Sequence, residues 1–362
     1  IVVQANGFIW QKIKIMEVNY MKMSLTGELL KKTTTSKDKK VSTLGMLLLI
    51  ISTIFVIVSP MILTNYRLNL IITILRIAYL AQCWNLMSGY CGQFSFGHAA
   101  FFGIGAYVSS LLYTALGISP WIGMIAGMVV AGIIGAIIGI LSFMYNLKGD
   151  YFALVTLAFA EIFRVIAKNT GWLKAAQGIS ITFKKDWKVM QFSDKTGFLY
   201  LALILLILIT VFIYRLQYTK MGKYFIAIRE NEDAARALGI DTFKYKMIAL
   251  VLSAMLTAVA GTFYAQYYLH IDPEIVFVSS VSVDAIIPCI LGGVGTVFGP
   301  IIGACIIEPI SEITNVYLSA YPGMNMVTYG LILVIAIIVL PHGVLGLSDK
   351  FKKNVKTVKM EG

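Results

Sequence analysis

The sequence predicts an all-α polytopic membrane protein of about ten transmembrane helices with one polar, helix-patterned loop between two long apolar runs. Two observations carry this. Only 13% of the 362 residues are charged while 58% are hydrophobic, against roughly a quarter charged in ordinary soluble domains. In addition, Ile77–Leu147 contains no Asp, Glu, Lys or Arg, and a run of that length holds about three spans of roughly 20 residues each. A barrel would instead show short alternating segments.

The expected spans, with boundaries uncertain by about two to four residues, are 42–63, 68–88, 93–115, 120–146, 151–169, 197–214, 247–269, 275–291, 297–318 and 324–341. Pro60 and Asn65 close the first. In the fourth, Gly123/Gly127 and Gly135/Gly139 place small residues on one face, which lets helices approach closely. The fifth is less apolar and carries Glu161 and Arg164. Their i,i+3 spacing favours a mutual pair facing the bundle. Asp284 interrupts the eighth span with no cation beside it in sequence. Merging the eighth and ninth spans, or making one re-entrant, is the main alternative arrangement.

The formal net charge of +12 does not point to nucleic acid, because the lysines gather at the two ends and in loops. Residues 1–40 are expected to form a basic mobile leader, 41–347 the transmembrane domain and 348–362 a basic tail. Both ends are expected on the cytoplasmic side of the plasma or inner membrane, by the bias of basic residues toward that side. An even span count puts segment 215–246 there too and leaves 170–196 outside. Lys174, Lys184, Lys185, Lys188 and Lys195 in that outer loop run against the bias. Cys83, Cys91, Cys289 and Cys305 match no zinc spacing. No catalytic triad, metal cluster or paired-carboxylate site is visible, and Gly293, Gly295 and Gly299 lack the Lys-Ser or Lys-Thr of a phosphate loop.

The polar loop has a readable local design. Asn231 can cap a short helix whose first turn holds Glu232 and Asp233, where the dipole favours acids. Ala234, Ala235 and Ala237 leave a low-relief surface suited to a groove, Gly239 suits the helix stop, and Asp241 can cap the next helix. A second stretch, Asn85–Tyr107, has glycines at 89, 92, 97, 103 and 105 that loosen the helix, with Gln93, Ser95 and His98 among them. Irregular backbone at membrane depth is tolerated inside protein or beside a water path, so these three are candidate lining residues of a translocation pathway. Packing through hydrogen bonds to neighbouring backbone is the plainer alternative. Gly89–Gly97 also resembles Gly292–Gly299, a hint of internal repetition.

Five blocks in order resemble the branched-chain amino acid ABC permease family, LivM type. They are Asn85–Tyr107, Asp150–Arg164, Ala227–Ile240, Leu291–Pro300 and Leu340–Leu347. Asp233-Ala234-Ala235 followed by Gly239 matches the spacing of the family's coupling loop, with Asp in place of Glu. Lys174–Ile179 departs from the family's Gly-rich turn, and the basic leader is outside its pattern. The resemblance implies a non-enzymatic transport subunit without a cofactor of its own. It further implies a second related permease subunit, two ATP-binding cassette subunits that bring ATP and magnesium, an extracytoplasmic substrate-binding protein and surrounding membrane lipid. This sequence holds no Walker motif of its own. Rival expectations are a related permease for urea, short amides or another small solute, and an ion-coupled secondary transporter using Glu161, Arg164 and Asp284.

Overall fold

A computed structural model describes residues 56–317 together with 330, 343 and 344. The expected leader, the tail and the tenth span lie outside the described residues apart from those last positions, and so does most of the first span. The described chain is helical almost throughout. Its helices are α1 (Asn65–Trp84), continued by a π-helical turn Asn85–Tyr90, α2 (His98–Leu116), α3 (Pro120–Met144), α4 (Asp150–Asn169) and α5 (Lys195–Leu216). They are followed by α6 (Lys220–Glu230), α7 (Glu232–Ala237), α8 (Thr242–Tyr268), α9 (Pro273–Val276), α10 (Ser279–Gly292) and α11 (Gly299–Tyr317).

Among the described residues, six helical stretches are long and apolar enough to cross a membrane: 65–90, 98–116, 120–144, 195–216, 242–268 and 273–292. The expected spans 151–169 and 297–318 are present as helices α4 and α11 but fall outside those six. The reason is composition. Asp150, Glu161, Arg164 and Lys168 dilute α4, and Glu308, Pro309, Glu312 and Asn315 dilute α11. The eighth and ninth expected spans remain separate, since α10 and α11 are distinct helices packed against each other around a turn at 293–298.

Helix α8 is the hub. It packs against α3, α2 and α1, while α1 also packs on α5, α10 and α11. Small residues set these distances. A Cβ on Gly105 would collide with the Ala258 carbonyl, one on Gly261 would collide with the Phe102 carbonyl, and Thr262 Oγ1 donates to the Gly105 carbonyl at 3.1 Å. The glycine face of α3 does what its spacing predicts: Gly123 meets Ser109, Gly127 meets Gly105, Gly135 meets Ala254 and Gly139 meets Met247. The other side of α3 exposes Ile122, Ile125, Val129, Ile133, Ile137 and Ile140, an apolar surface suited to lipid.

The loop 170–194 is a folded cap at the end of the bundle away from segment 215–246. Ile179 and Ser180 pair antiparallel with Ile271 and His270. Trp121 Nε1 donates to the Trp187 carbonyl at 3.0 Å, which ties the cap to the start of α3. Lys195 Nζ donates to the Asn65 carbonyl at 3.3 Å, so α1 starts at this end.

The close backbone approach of α2 and α8 generates a first expectation. Gly105→Val or Gly261→Val forces backbones apart and is expected to cost about 1–3 kcal/mol or more. Gly117→Asn is expected to be neutral, because Gly117 ends α2 at φ +66° with nothing near its Cβ position and Asn tolerates that conformation. Thermal unfolding in detergent reads all three.

Candidate functional site: a docking helix braced against two glycine-rich turns

The short helix α7 is built as its sequence suggests. Asn231 Oδ1 accepts from the Ala234 amide at 2.9 Å and caps the helix. Glu232 and Asp233 occupy the first turn, Arg236 the last, each complementing the dipole. Gly239 takes φ +83°, a left-handed conformation that L side chains strain to adopt. Asp241 Oδ1 then accepts from the Lys244 amide at 3.0 Å, starting α8 at once.

A charge lock, absent from the sequence expectation, fixes α7 to the bundle. Glu232 Oε1 receives Lys246 Nζ at 2.8 Å and Arg236 Nη2 at 3.1 Å, and its Oε2 lies 3.9 Å from Lys148 Nζ. Lys148 also meets Asp233 Oδ1 at 3.1 Å. The Lys246 side chain is only 2% exposed and that of Glu232 9%, so this pair is shielded from water. Lys246 Nζ additionally lies 4.9 Å from the Phe143 ring centre, a cation–π contact. One carboxylate thus joins α7, α8 and the α3–α4 turn.

Ala235 needs correction. It was expected on the low-relief outer surface, but it is buried at 3% exposure. With six residues in the helix and Glu232 turned inward, position 235 three residues on must share the inner face. The outward surface is Asp233, Ala234, Ala237 and Leu238, of which Leu238 is 82% exposed.

The other candidate residues sit directly beneath. The π-helical turn keeps Gly89 inside the helix, and the break comes later, at Gly92 with φ +74°. Asn85 bridges to the second glycine-rich turn, donating from Nδ2 to the Thr296 carbonyl at 2.8 Å and accepting at Oδ1 from the Gly295 amide at 2.8 Å. Gln82 Nε2 donates to the Val297 carbonyl at 2.6 Å. The two similar glycine-rich stretches are therefore in direct contact.

Gln93, Ser95 and His98 are all buried. Ser95 is committed to the turn: its Oγ accepts from the Gly97 amide at 3.1 Å, and its carbonyl accepts from Trp84 Nε1 at 2.8 Å. His98 Nε2 lies 2.8 Å from Ser253 Oγ, whose single proton goes to the Cys83 carbonyl at 2.7 Å. Nε2 then donates to Ser253, and the pair ties α2, α8 and α1 together. Gln93 Oε1 and His98 Nδ1 are both buried without a hydrogen-bond partner.

The intramembrane charges also need correction. Arg164 does pair with Glu161, but the Glu161 side chain is 52% exposed rather than turned into the bundle. Arg164 also bonds Glu274, which Lys168 Nζ meets at 2.8 Å. The set is a surface cluster linking α4 to the start of α9. Asp284 is half-buried on α10.

A family model described as "Branched-chain amino acid transport system / permease component" matches residues 66–337. The chain belongs to this permease family. The family's LivM proteins of Salmonella typhimurium and Escherichia coli, named high-affinity branched-chain amino acid transport system permease proteins, are each 31% identical over 72% of this chain. The match spans 65% of their length, somewhat under two thirds. The LivH permease of Salmonella typhimurium is 27% identical over 74% of this chain and 91% of its own.

The charge lock yields a second expectation for this permease. Glu232→Gln leaves Lys246 buried and uncompensated, which is expected to cost about 3 kcal/mol or more, whereas combining it with Lys246→Met recovers part of that loss. Stability of the purified variants measured as a double-mutant cycle reports the coupling.

Proposed function

We propose that this chain is a transmembrane permease subunit of an ATP-driven importer for branched-chain amino acids. It would work with a second related permease, two ATP-binding cassette subunits and an extracytoplasmic binding protein. The observation that carries the reading is the outward face of α7. A capped helix, pinned by a shielded carboxylate, presents Ala234, Ala237 and an 82% exposed Leu238 to the surroundings. Leu238 with Ala234 and Ala237 beside it makes a contiguous low apolar face on a rigid support, suited to a partner's groove. Family membership supports the same reading.

ATP and magnesium belong on the partner ATPases in this scheme. Closure of the ATPases would push α7, and the charge lock would pass that displacement to α8 and to the α3–α4 turn as one body. The cytoplasmic side is assigned to segment 215–246 and to both basic ends, and the opposite side to the cap at 170–194. Family membership supports the solute preference, and urea or short amides would use the same docking design. Of the residues an ion-coupled mechanism would use, Glu161 and Arg164 are paired at the surface with Glu274 and Lys168, which leaves it Asp284 alone.

Docking is tested by Leu238→Glu and Ala237→Glu, each of which is expected to abolish co-purification of an ATP-hydrolysing subunit while the permease stays folded. Gly239→Val is expected to allow assembly in part and to uncouple uptake of leucine, isoleucine and valine from ATP hydrolysis. Full uptake in all three variants removes the docking assignment.

Sidedness has its own test. With the native cysteines replaced, a reporter at Ser193 is expected to react with an impermeant thiol reagent from outside whole cells, and one at Lys223 to react only after lysis. Labelling of Lys223 in intact cells reverses the topology.

A further inference from the structure

The charge lock explains how α7 grips α8, but not how a push reaches the helix breaks at Gly92 and Gly295. Arg229, on the last turn of α6 immediately before the Asn231 cap, spans that gap. Its Nη1 donates to the Gly89 carbonyl at 2.9 Å, across 140 residues of sequence. A Cβ on Gly92 would lie 2.9 Å from Arg229 Cα and Cγ, so the first glycine-rich turn rests against the arginine stem. A Cβ on Gly295 would collide with the guanidinium, so the second turn rests against its head. The side chain is 32% exposed, entering from the surface and ending between the two turns. Its pairing with neighbouring Glu230, at 2.6 Å, orients the guanidinium from the solvent side.

The turns that Arg229 touches are where the chain departs from regular α-helix at the ends of α1 and α10. One is a π-helical turn followed by a left-handed glycine, the other a run with Gly293 at φ +127° and Gly295 at φ +74°. π-helical turns concentrate at functional positions in helices. Asn85 holds the turns to each other, so a displacement of either moves both.

We infer that Arg229 is a positioning residue that transmits displacement of the docking segment to the paired turns 89–92 and 293–296. This rests on the docking role proposed above. Arg229 touches neither the outward face of α7 nor the charge lock, so its removal separates transmission from docking. Glycine at 89, 92 and 295 follows from the same arrangement, because any side chain there would displace the arginine or the facing turn.

The test uses the full complex of permeases, ATPases and binding protein in lipid vesicles, with Arg229→Gln and Arg229→Lys. Arg229→Gln is expected to assemble and hydrolyse ATP as wild type does while solute imported per ATP falls about tenfold, a typical coupling between sites. Arg229→Lys, which keeps a charge and a donor near Gly89, is expected to recover part of the ratio. Amide hydrogen exchange supplies a readout that a merely structural role would not move. In wild type, protection of 88–96 and 293–296 is expected to differ between ATP-bound and ADP-bound complexes. In Arg229→Gln that difference is expected to vanish while the corresponding difference in 232–238 persists.

Nucleotide-dependent protection of both turns in Arg229→Gln overturns the inference, as does an unchanged import ratio. Should Arg229→Gln fail to assemble, Arg229→Lys alone decides: an import ratio equal to wild type together with lost nucleotide dependence, or the reverse, overturns it. Wild-type complex that shows the nucleotide-dependent protection but imports no branched-chain amino acid refutes the substrate assignment and leaves Arg229 in place. Wild-type complex without that protection refutes the transmission role.

Discussion

Lipid gives apolar helices almost no hydrophobic reason to associate, so the bundle depends on how closely backbones can come together. The contact between α2 and α8 meets that constraint most directly, with Gly105 under the Ala258 carbonyl and Gly261 under the Phe102 carbonyl. Dispersion across that seam, and the Thr262 hydroxyl bonded to a carbonyl facing it, fix the axial position of α8. The rest follows in sequence. The first turns of α8 carry Lys246, Lys246 holds Glu232, and Glu232 holds the short docking helix. A six-residue helix has little stability of its own, and it is placed to within a hydrogen bond because the helix it leans on cannot slide.

Polar groups inside the bundle act as fasteners between segments far apart in sequence. Asn85 joins the end of α1 to the turn after α10, Ser253 relays between His98 and the Cys83 carbonyl, and Ser282 receives the Ala99 amide while donating to the Phe96 carbonyl. Each bonds a backbone group where a helix is broken or crossed, Ser282 at the break between Gly92 and Gly97 and Asn85 at the turn after α10. Several buried polar atoms are left unmatched, among them Gln82 Oε1, Gln93 Oε1 and His98 Nδ1.

What could be read from the residues was local chemistry. The Asn231 cap, the Gly239 stop, the Asp241 cap and the glycine face of α3 each depend on a few neighbours, and the chain itself states them. The six helical stretches were legible because apolar length is a sum over a window. What could not be read depended on partners far along the chain. Ala235 turns inward because Lys246 captures Glu232, and the Glu161–Arg164 pair lies at the surface because Glu274 waits at the start of α9. Nothing adjacent to Arg229 announces Gly89. The one available signal was Lys246 itself, a cation placed where α8 becomes apolar, which has to find an acid or leave the bundle.

The π-helical turn at Asn85–Tyr90 has a geometric consequence for α1. Such a turn accommodates one residue more than the α-helical turn it replaces. One residue of α-helix corresponds to roughly 100° of rotation and about 1.5 Å of rise. The end of α1 therefore holds a spare residue of winding. Drawing that residue back into regular α-helix would turn the chain beyond Tyr90 about the axis of α1, as a screw thread converts a small axial push into rotation.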